Sequence, residues 1–447
     1  MSQRDQILSI LHEAMKSSPA DQTELVFDGE AFSLTHVAES QIQQNMMSDD
    51  CSIVARTVIG KKIGIASTNR LTIEDVRKAI SDAVDISTFQ DDDEDFVSLP
   101  KSPKAPEVSA LFESTANFSP VDRANAVWQM NKIAAMHNLK TAGAFKTVTN
   151  RVAVINSLGT EQYFEGTSAE LSLTVSGETG ASGYGIAYNR DVSKINPGAV
   201  AETAVDKAVR TVDPISLPSG SYTVLLEPAA VGQLLLFLAF MGFGSKTFVQ
   251  HRSFMAGKIG TPIAGGNFSV RDEAYNSQML GMPFDYEGVP RKEVALITNG
   301  VAKGVVSNSY DANLLGEGVE STGHAHIATR SFTPYPKHMV MKGGDVTVDE
   351  MIRSVDRGMY ITHFWYVNYL NPMKTMVTGT TRDGTFLIEN GEVTNAIVNM
   401  RMQQSILEAF SNCRMLSKER VLYPQYSVVM LVPYALVDNF QLTEEAS

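Results

Sequence analysis

The sequence predicts an α+β fold in two parts. An N-terminal domain of helices on antiparallel sheet covers residues 1–212, and a larger β-rich C-terminal domain covers 217–447. Three observations carry this. Segments of helical period alternate with strand-like runs, so the chain is neither all-α nor all-β. The corners Asn299-Gly300 and Asn390-Gly391 sit inside β-rich stretches, where Asn-Gly is a strong hairpin signal. TVDPISLPSG at 211–220 places two prolines and a glycine after a helical pattern and divides the chain.

Ile7, Ile10, Leu11, Ala14 and Met15 recur at helical spacing and predict an amphipathic helix over 4–17. TELVFDG, AFSLTHVAES and CSIVARTVIGKKIGIAST then read as strands, the last turning at Gly60-Lys61-Lys62. A helix over 72–87 has Thr72 as its N-cap, ahead of Glu74 and Asp75. DDDEDF at 91–96 leads into Pro100, Pro103 and Pro106 and reads as a solvated loop; it lacks the spaced ligands and glycine of a calcium loop. A helix over 121–138, carrying Trp128, precedes a β meander with turn signals at Leu158-Gly159. A helix over 198–212 closes the first part.

The second part opens with a strand at 222–227 and a helix over 228–243 begun by Pro228. The β-rich segments VALITNGVAKGVVSNS and GTFLIENGEVTNAIVNM follow, separated by a helix over 347–357. SILEAFSNCRML reads as helical, with Cys413 as a small core residue.

Composition narrows the function. The 447 residues are 43% hydrophobic and 19% charged, which is a globular balance. A net charge of −13 argues against a nucleic-acid partner, which would need a basic patch to replace phosphate counterions. Two cysteines, Cys51 and Cys413, cannot build a disulfide framework or a cysteine-only zinc site, and suit a reducing compartment. The start, MSQRDQILSI, lacks the charged-then-apolar form of a signal peptide. The apolar run VGQLLLFLAFMGFG at 231–244 falls short of the roughly 20 residues that span a bilayer. A cytoplasmic protein with no membrane partner is expected.

Few residues advertise chemistry. His12-Glu13 begins like a zinc-peptidase helix, but Lys16 stands where a second histidine would have to share the face. His324 and His326, in GEGVESTGHAHIATR, have a strand-like spacing that points both to one side. With Glu317 or Glu320 they could hold zinc; as part of a glycine-punctuated loop they are solvated, or bind an acidic group. His251-Arg252 follows the apolar helix, and Arg252 could take a carboxylate such as a peptide C-terminus; a plain surface loop is the alternative. Arg382, in TRDGTF, sits in a polar turn before a strand. No G-x-S-x-G elbow, phosphate loop or dinucleotide fingerprint occurs.

Several blocks nevertheless resemble one family in order and spacing from about residue 50 to 410. They are FMAGKIGTPIAGGNFSVRDE, PFDYEGVPRKEVALITNGVAKGVVSNSYDANLLG, the ESTGHA loop, DEMIRSVDRGMYIT, and NP followed by LIENGEVTNAI. GKKIGIASTN and INSLGTEQYFEG agree more weakly. The resemblance is to the TldD/PmbA peptidases. It implies two branches: zinc-bearing subunits with an H-E-x-x-x-H helix after the first strand of the C-terminal domain and a late cysteine, and PmbA (TldE)-like subunits without the motif. A gapless placement anchored at SFMAG (253–257) puts Leu235 and Phe240 where the histidines would stand and Leu236 in place of the glutamate. No histidine occurs in 228–250 and no cysteine in 414–447.

The expectation is a non-catalytic subunit of a zinc metallopeptidase that processes unfolded peptides. It would carry no catalytic residue and no metal of its own, with zinc on a TldD-like partner, and His251, Arg252, His324, His326 and Arg382 would contact peptide. Two other readings compete. One is a self-sufficient metallohydrolase with relocated ligands: His324, His326 and either His251 or His363. The other is a homodimeric peptide-binding protein without a catalytic partner.

Overall fold

The computed structural model describes residues 2–178, 180–327 and 333–445. Its first part is α1 (Gln3–Met15), β1 (Gln22–Ala38), β2 (Gln41–Ile59), β3 (Lys62–Thr68), α2 (Ile73–Phe89), a single turn α3 (Glu113–Ala116), α4 (Pro120–Ala135), β4 (Lys140–Asn156), β5 (Glu161–Ser176), β6 (Ser182–Asn189) and α5 (Pro197–Arg210). Local chemistry explains the helix starts. Ser2 and Asp5 form a capping box on α1, as do Ser119 and Asp122 on α4, and Thr72 caps α2 by accepting from the Asp75 N–H.

The six strands form one sheet, in the order β3-β2-β1-β4-β5-β6, with antiparallel neighbours. This order is symmetric about the β1–β4 pair. The first part is therefore two copies of one helix–three strands–helix unit, α1 to α2 and α4 to α5. Gly64 in β3 and Gly183 in β6 are equivalent. A Cβ on Gly64 would lie 1.9 Å from the Ala83 carbonyl of α2, and one on Gly183 2.0 Å from the Ala204 carbonyl of α5. Glycine at each lets a helix lie directly on the sheet.

Strand alternation sends one residue set to the helices and the other away. Leu25, Phe27, Ile53, Ala55, Ala153 and Ile155 meet α1 and α2. Phe145, Leu171, Leu173 and Val175 meet α4 and α5. On the opposite face Val26, Val54, Val152, Val154 and Phe164 pack on Phe284 from the second part. The two strand-like pieces expected at 23–29 and 31–40 are one strand, β1, which ends at Ala38. The next ten residues, 41–50, were not expected in a strand, yet they form an exposed stretch of β2 paired with β1.

The second part contains β7 (Gly220–Leu226), α6 (Pro228–Gly242), α7 (Ser245–Val249), β8 (Val270–Asp272), β9 (Val294–Thr298), β10 (Val301–Ala302), α8 (Ser309–Leu315), β11 (His338–Met341), α9 (Val348–Arg353), β12 (Arg357–Asn371), β13 (Met376–Glu389), β14 (Glu392–Ala396), β15 (Met400–Ser405), α10 (Ile406–Ser411), β16 (Cys413–Gln425) and β17 (Val428–Glu445). They make a mixed eleven-stranded sheet. Because β7 pairs parallel with β12 and antiparallel with β17, the path β17-β15-β13-β12-β7 closes on itself. Both Asn-Gly corners are tight turns, between β9 and β10 and between β13 and β14, with all four residues at positive φ. Three expectations fail. The helix at 347–357 stops at Arg353, because β12 starts at Arg357. The helix containing SILEAF ends at Ser411, and Cys413 opens β16 as a buried strand residue. Arg382 lies within β13, not in a turn before it.

Candidate functional site

The apolar run is α6, buried on every side except at Phe237 and Phe240. An all-apolar helix of this kind belongs inside a core. Leu235 and Leu236 have no exposed area, whereas Phe240 is 38% exposed. Gln233 locks the helix to β12: its amide donates to the Phe364 carbonyl and accepts from the Phe364 N–H, both at 2.7 Å. At the N-terminal end the Glu227 carboxylate accepts from Lys207 of α5 at 2.8 Å and from the Tyr360 hydroxyl at 2.6 Å. Zinc is held by nitrogen, sulfur or oxygen donors. Leu235, Leu236 and Phe240 offer none, so the residues at this helix do not fit the zinc that the resemblance implies for other members. Among the described residues, no three His, Cys, Asp or Glu side chains are grouped to hold a metal ion.

Phe240 leads to the main cavity. Its ring meets Tyr335 edge-on at 5.1 Å, and the Tyr335 hydroxyl bonds Ser427 at 2.7 Å. Ser427 lines a cavity of about 680 Å³ between the two parts of the molecule. One wall is the helix-free face of the first sheet, with Asp28 and Glu30 of β1, Asp50 of β2, and Glu170 of β5 beside Lys146 of β4. Burial, followed by the Asp28 charge, pushes the Glu30 carboxyl above its usual range. The other wall comes from the second part: Arg291, Lys337, His338 and Tyr426.

A buried ionic group supports that second wall. Asp272 accepts from the His324 ring at 3.0 Å and from the Lys337 and His338 N–H groups at 2.8 Å each. Burial pushes its carboxyl up, but His324, with Arg291 and His338 near it, more than offsets this and holds it well below the usual carboxylate range. Burial, reinforced by Arg291, lowers His324 to about 4, and burial lowers His338 to about 3. Both rings are therefore neutral at pH 7. Burial and then Arg291 bring the Lys337 ammonium down to about 8. Further along the interface, Arg56 of β2 joins Glu24 of β1 at 2.9 Å to Glu287 of the second part at 3.3 Å.

The residues expected to contact peptide do not converge. His324 is buried on Asp272, which withdraws it from a surface peptide; it supports the cavity wall instead. His326, half-buried, stacks on Tyr335 at 4.6 Å, close to Phe240 and the cavity rim. His251 is exposed at the end of α7 with φ 55°, and Arg252 bonds Gln250 at 2.5 Å. Arg382 is exposed over the Trp365 ring at 4.7 Å. His363 is buried against Tyr184, 3.5 Å from Asp383. The relocated zinc set of His324, His326 and His251 or His363 is thus dispersed. Asp272, Arg291, Lys337 and His338 were missed. They come from separate segments, and only the adjacent pair Lys337-His338 left a local trace.

Models of the PmbA/TldA metallopeptidases match the chain along most of its length: domain 1 at 32–87, the central domain at 103–212 and the C-terminal domain at 219–444. A metalloprotease TldD homolog of Buchnera aphidicola is 23% identical over 88% of this chain and 85% of its own length. The metalloprotease PmbA homolog of Haemophilus influenzae is 23% identical over 83% of this chain and 82% of its own. The crystal structure of TldE from Thermococcus kodakarensis shares the fold, with a TM-score of 0.90 at 23% identity over 98% of this chain and all of that one.

Proposed function

The chain belongs to the PmbA/TldA metallopeptidase family, and from that premise we propose that it is a non-catalytic subunit of a cytoplasmic zinc metallopeptidase complex acting on unfolded peptides. One observation supports this reading above the others: α6 carries leucines without exposed area, and a phenylalanine, where the family resemblance puts the histidine–glutamate motif. None of these side chains can hold a metal or move a proton. Burying such side chains offsets the loss of a bound ion, so the helix keeps its structural place.

In this reading the metal resides on a TldD-like partner or, failing that, the protein acts as a pair of its own chains. Its contribution is to bind and orient. The cavity between its two parts offers polar groups from both walls to a peptide backbone. Strand edges such as residues 41–50 of β2 can pair with an extended chain. His326 and Arg382 present aromatic-backed polar groups, and His251 and Arg252 a basic corner, where a peptide can lie.

Purification from its own cells tests the reading. The protein is expected to bring down a paralogue with an H-E-x-x-x-H helix, and the pair, but not this chain alone, to shorten a mixed peptide library. A homodimer that cleaves the library by itself would overturn it.

A further inference from the structure

The two walls of the cavity are unequal in charge and in how well their donors are met. On the second-part wall, Arg291 is 4% exposed, and neither Nε nor Nη1 has a hydrogen-bond partner among the described residues. His338 is 6% exposed, and its Nδ1 is likewise unmet. Among the described residues the Lys337 ammonium makes no hydrogen bond or ion pair; it lies 5.2 Å from the centre of the Tyr286 ring. The carboxylates nearby are already occupied: Asp28, whose charge acts on Lys337, accepts from the Tyr286 hydroxyl at 3.5 Å and has further partners. Asp272 is taken by His324 and two backbone N–H groups. Asp285 accepts from the N–H groups of Glu287, Val289 and Ala325. A folded chain rarely leaves a buried guanidinium and imidazole short of acceptors unless ordered water or a ligand completes them.

The opposite wall decides which anion fits. Asp28, Glu30 and Asp50 face the cavity from the sheet, while its cations are engaged, Lys146 by Glu170 and Arg190 by the Met279 and Thr167 carbonyls. A nucleotide or other polyanion entering the space would meet these acids. A peptide end carries a single negative charge at its tip, followed by a neutral chain rich in N–H donors. A cavity of about 680 Å³ lies within the range of small-ligand sites and holds a few residues.

We propose that the cavity captures the C-terminal carboxylate of a peptide at Arg291, Lys337 and His338, with the preceding backbone N–H groups turned toward Glu30 and Asp50. The site deepens, and rests on, the reading of this chain as a peptide-holding subunit. Arg291 supplies planar donors suited to a carboxylate, Lys337 a charge still present at neutral pH, and His338 a ring nitrogen at the edge.

The test uses the full-length chain and a short labelled peptide in three forms: free acid, C-terminal amide, and an amide with one internal glutamate. Fluorescence anisotropy is expected to show the free acid binding at least about tenfold more tightly than either amide. Lys337→Gln is expected to abolish that preference and Lys337→Arg to retain it, with thermal melts confirming that both variants fold. Equal affinity for acid and amide, no binding of any form, or a preference that survives Lys337→Gln overturns the proposal. Tight binding of the internal-glutamate amide overturns the terminal assignment. None of these outcomes bears on metal content, so failure here is distinguishable from failure of the non-catalytic reading, which would appear as zinc on the isolated chain.

Discussion

The helix α6 is linked to the cavity through Phe240, Tyr335 and Ser427, yet the helix and the cavity wall of Arg291, Lys337 and His338 treat burial in opposite ways. The helix keeps a single polar side chain on its buried face: Leu235 and Leu236 touch only core, and the Gln233 amide exchanges two hydrogen bonds with the Phe364 backbone. The wall keeps cationic and imidazole groups in the interior and leaves several donors unmet. Burying charge is costly without partners. The contrast teaches that polar chemistry in this part of the molecule is concentrated in the cleft and not on the helix.

The sharpest way to break the comparison is to remove a charge from the interface between the two parts. Arg56→Ala leaves Glu24 and Glu287 buried without their shared cation, and is expected to cost about 3–5 kcal/mol in a denaturant melt. On the apolar side, Leu235→Ala opens a cavity in the core and is expected to cost about 3 kcal/mol in the same melt. A near-neutral result there would show that α6 is not the sealed core helix described.

A third test concerns a buried base outside the cavity. Burial, then Lys207 and Arg382, lower His363 to about 3. Below about pH 6.5 the unfolded chain takes a proton on this residue that the folded chain refuses, so stability is full above that pH and falls on acidification, by roughly 1.4 kcal/mol per unit until the folded value is reached. His363→Phe keeps a ring against Tyr184 but removes the proton site. Between pH 7 and pH 5 its unfolding free energy in denaturant melts is expected to fall less than that of the parent, by about 2 kcal/mol. Buried carboxyls such as Glu24, raised to about 7 by burial, act in the opposite direction in both proteins and cancel in the comparison. The smallest effect is expected for Phe240→Ala: the ring is 38% exposed, and its loss is expected to cost about 1 kcal/mol.

What the sequence revealed was local. Thr72, the Gly60 corner and both Asn-Gly turns fall where expected because each is decided by a few neighbouring residues. Residues 41–50 escaped notice because that stretch of β2 is exposed on both faces and shows no alternation. The doubling of the first sheet also escaped: its two units share an arrangement, with Gly64 matching Gly183, but no short period. His324 was expected at the surface because its partner, Asp272, lies 52 residues earlier and only the fold brings them together. The cavity was illegible for the same reason, since its walls come from strands of both parts. The apolar character of α6, by contrast, was plain in the letters, because it lies in one continuous run.

The most direct test of the account is the zinc content of the isolated full-length chain after dialysis against a mild chelator. The expected result is far less than one ion per chain. One tightly held zinc per chain would contradict it.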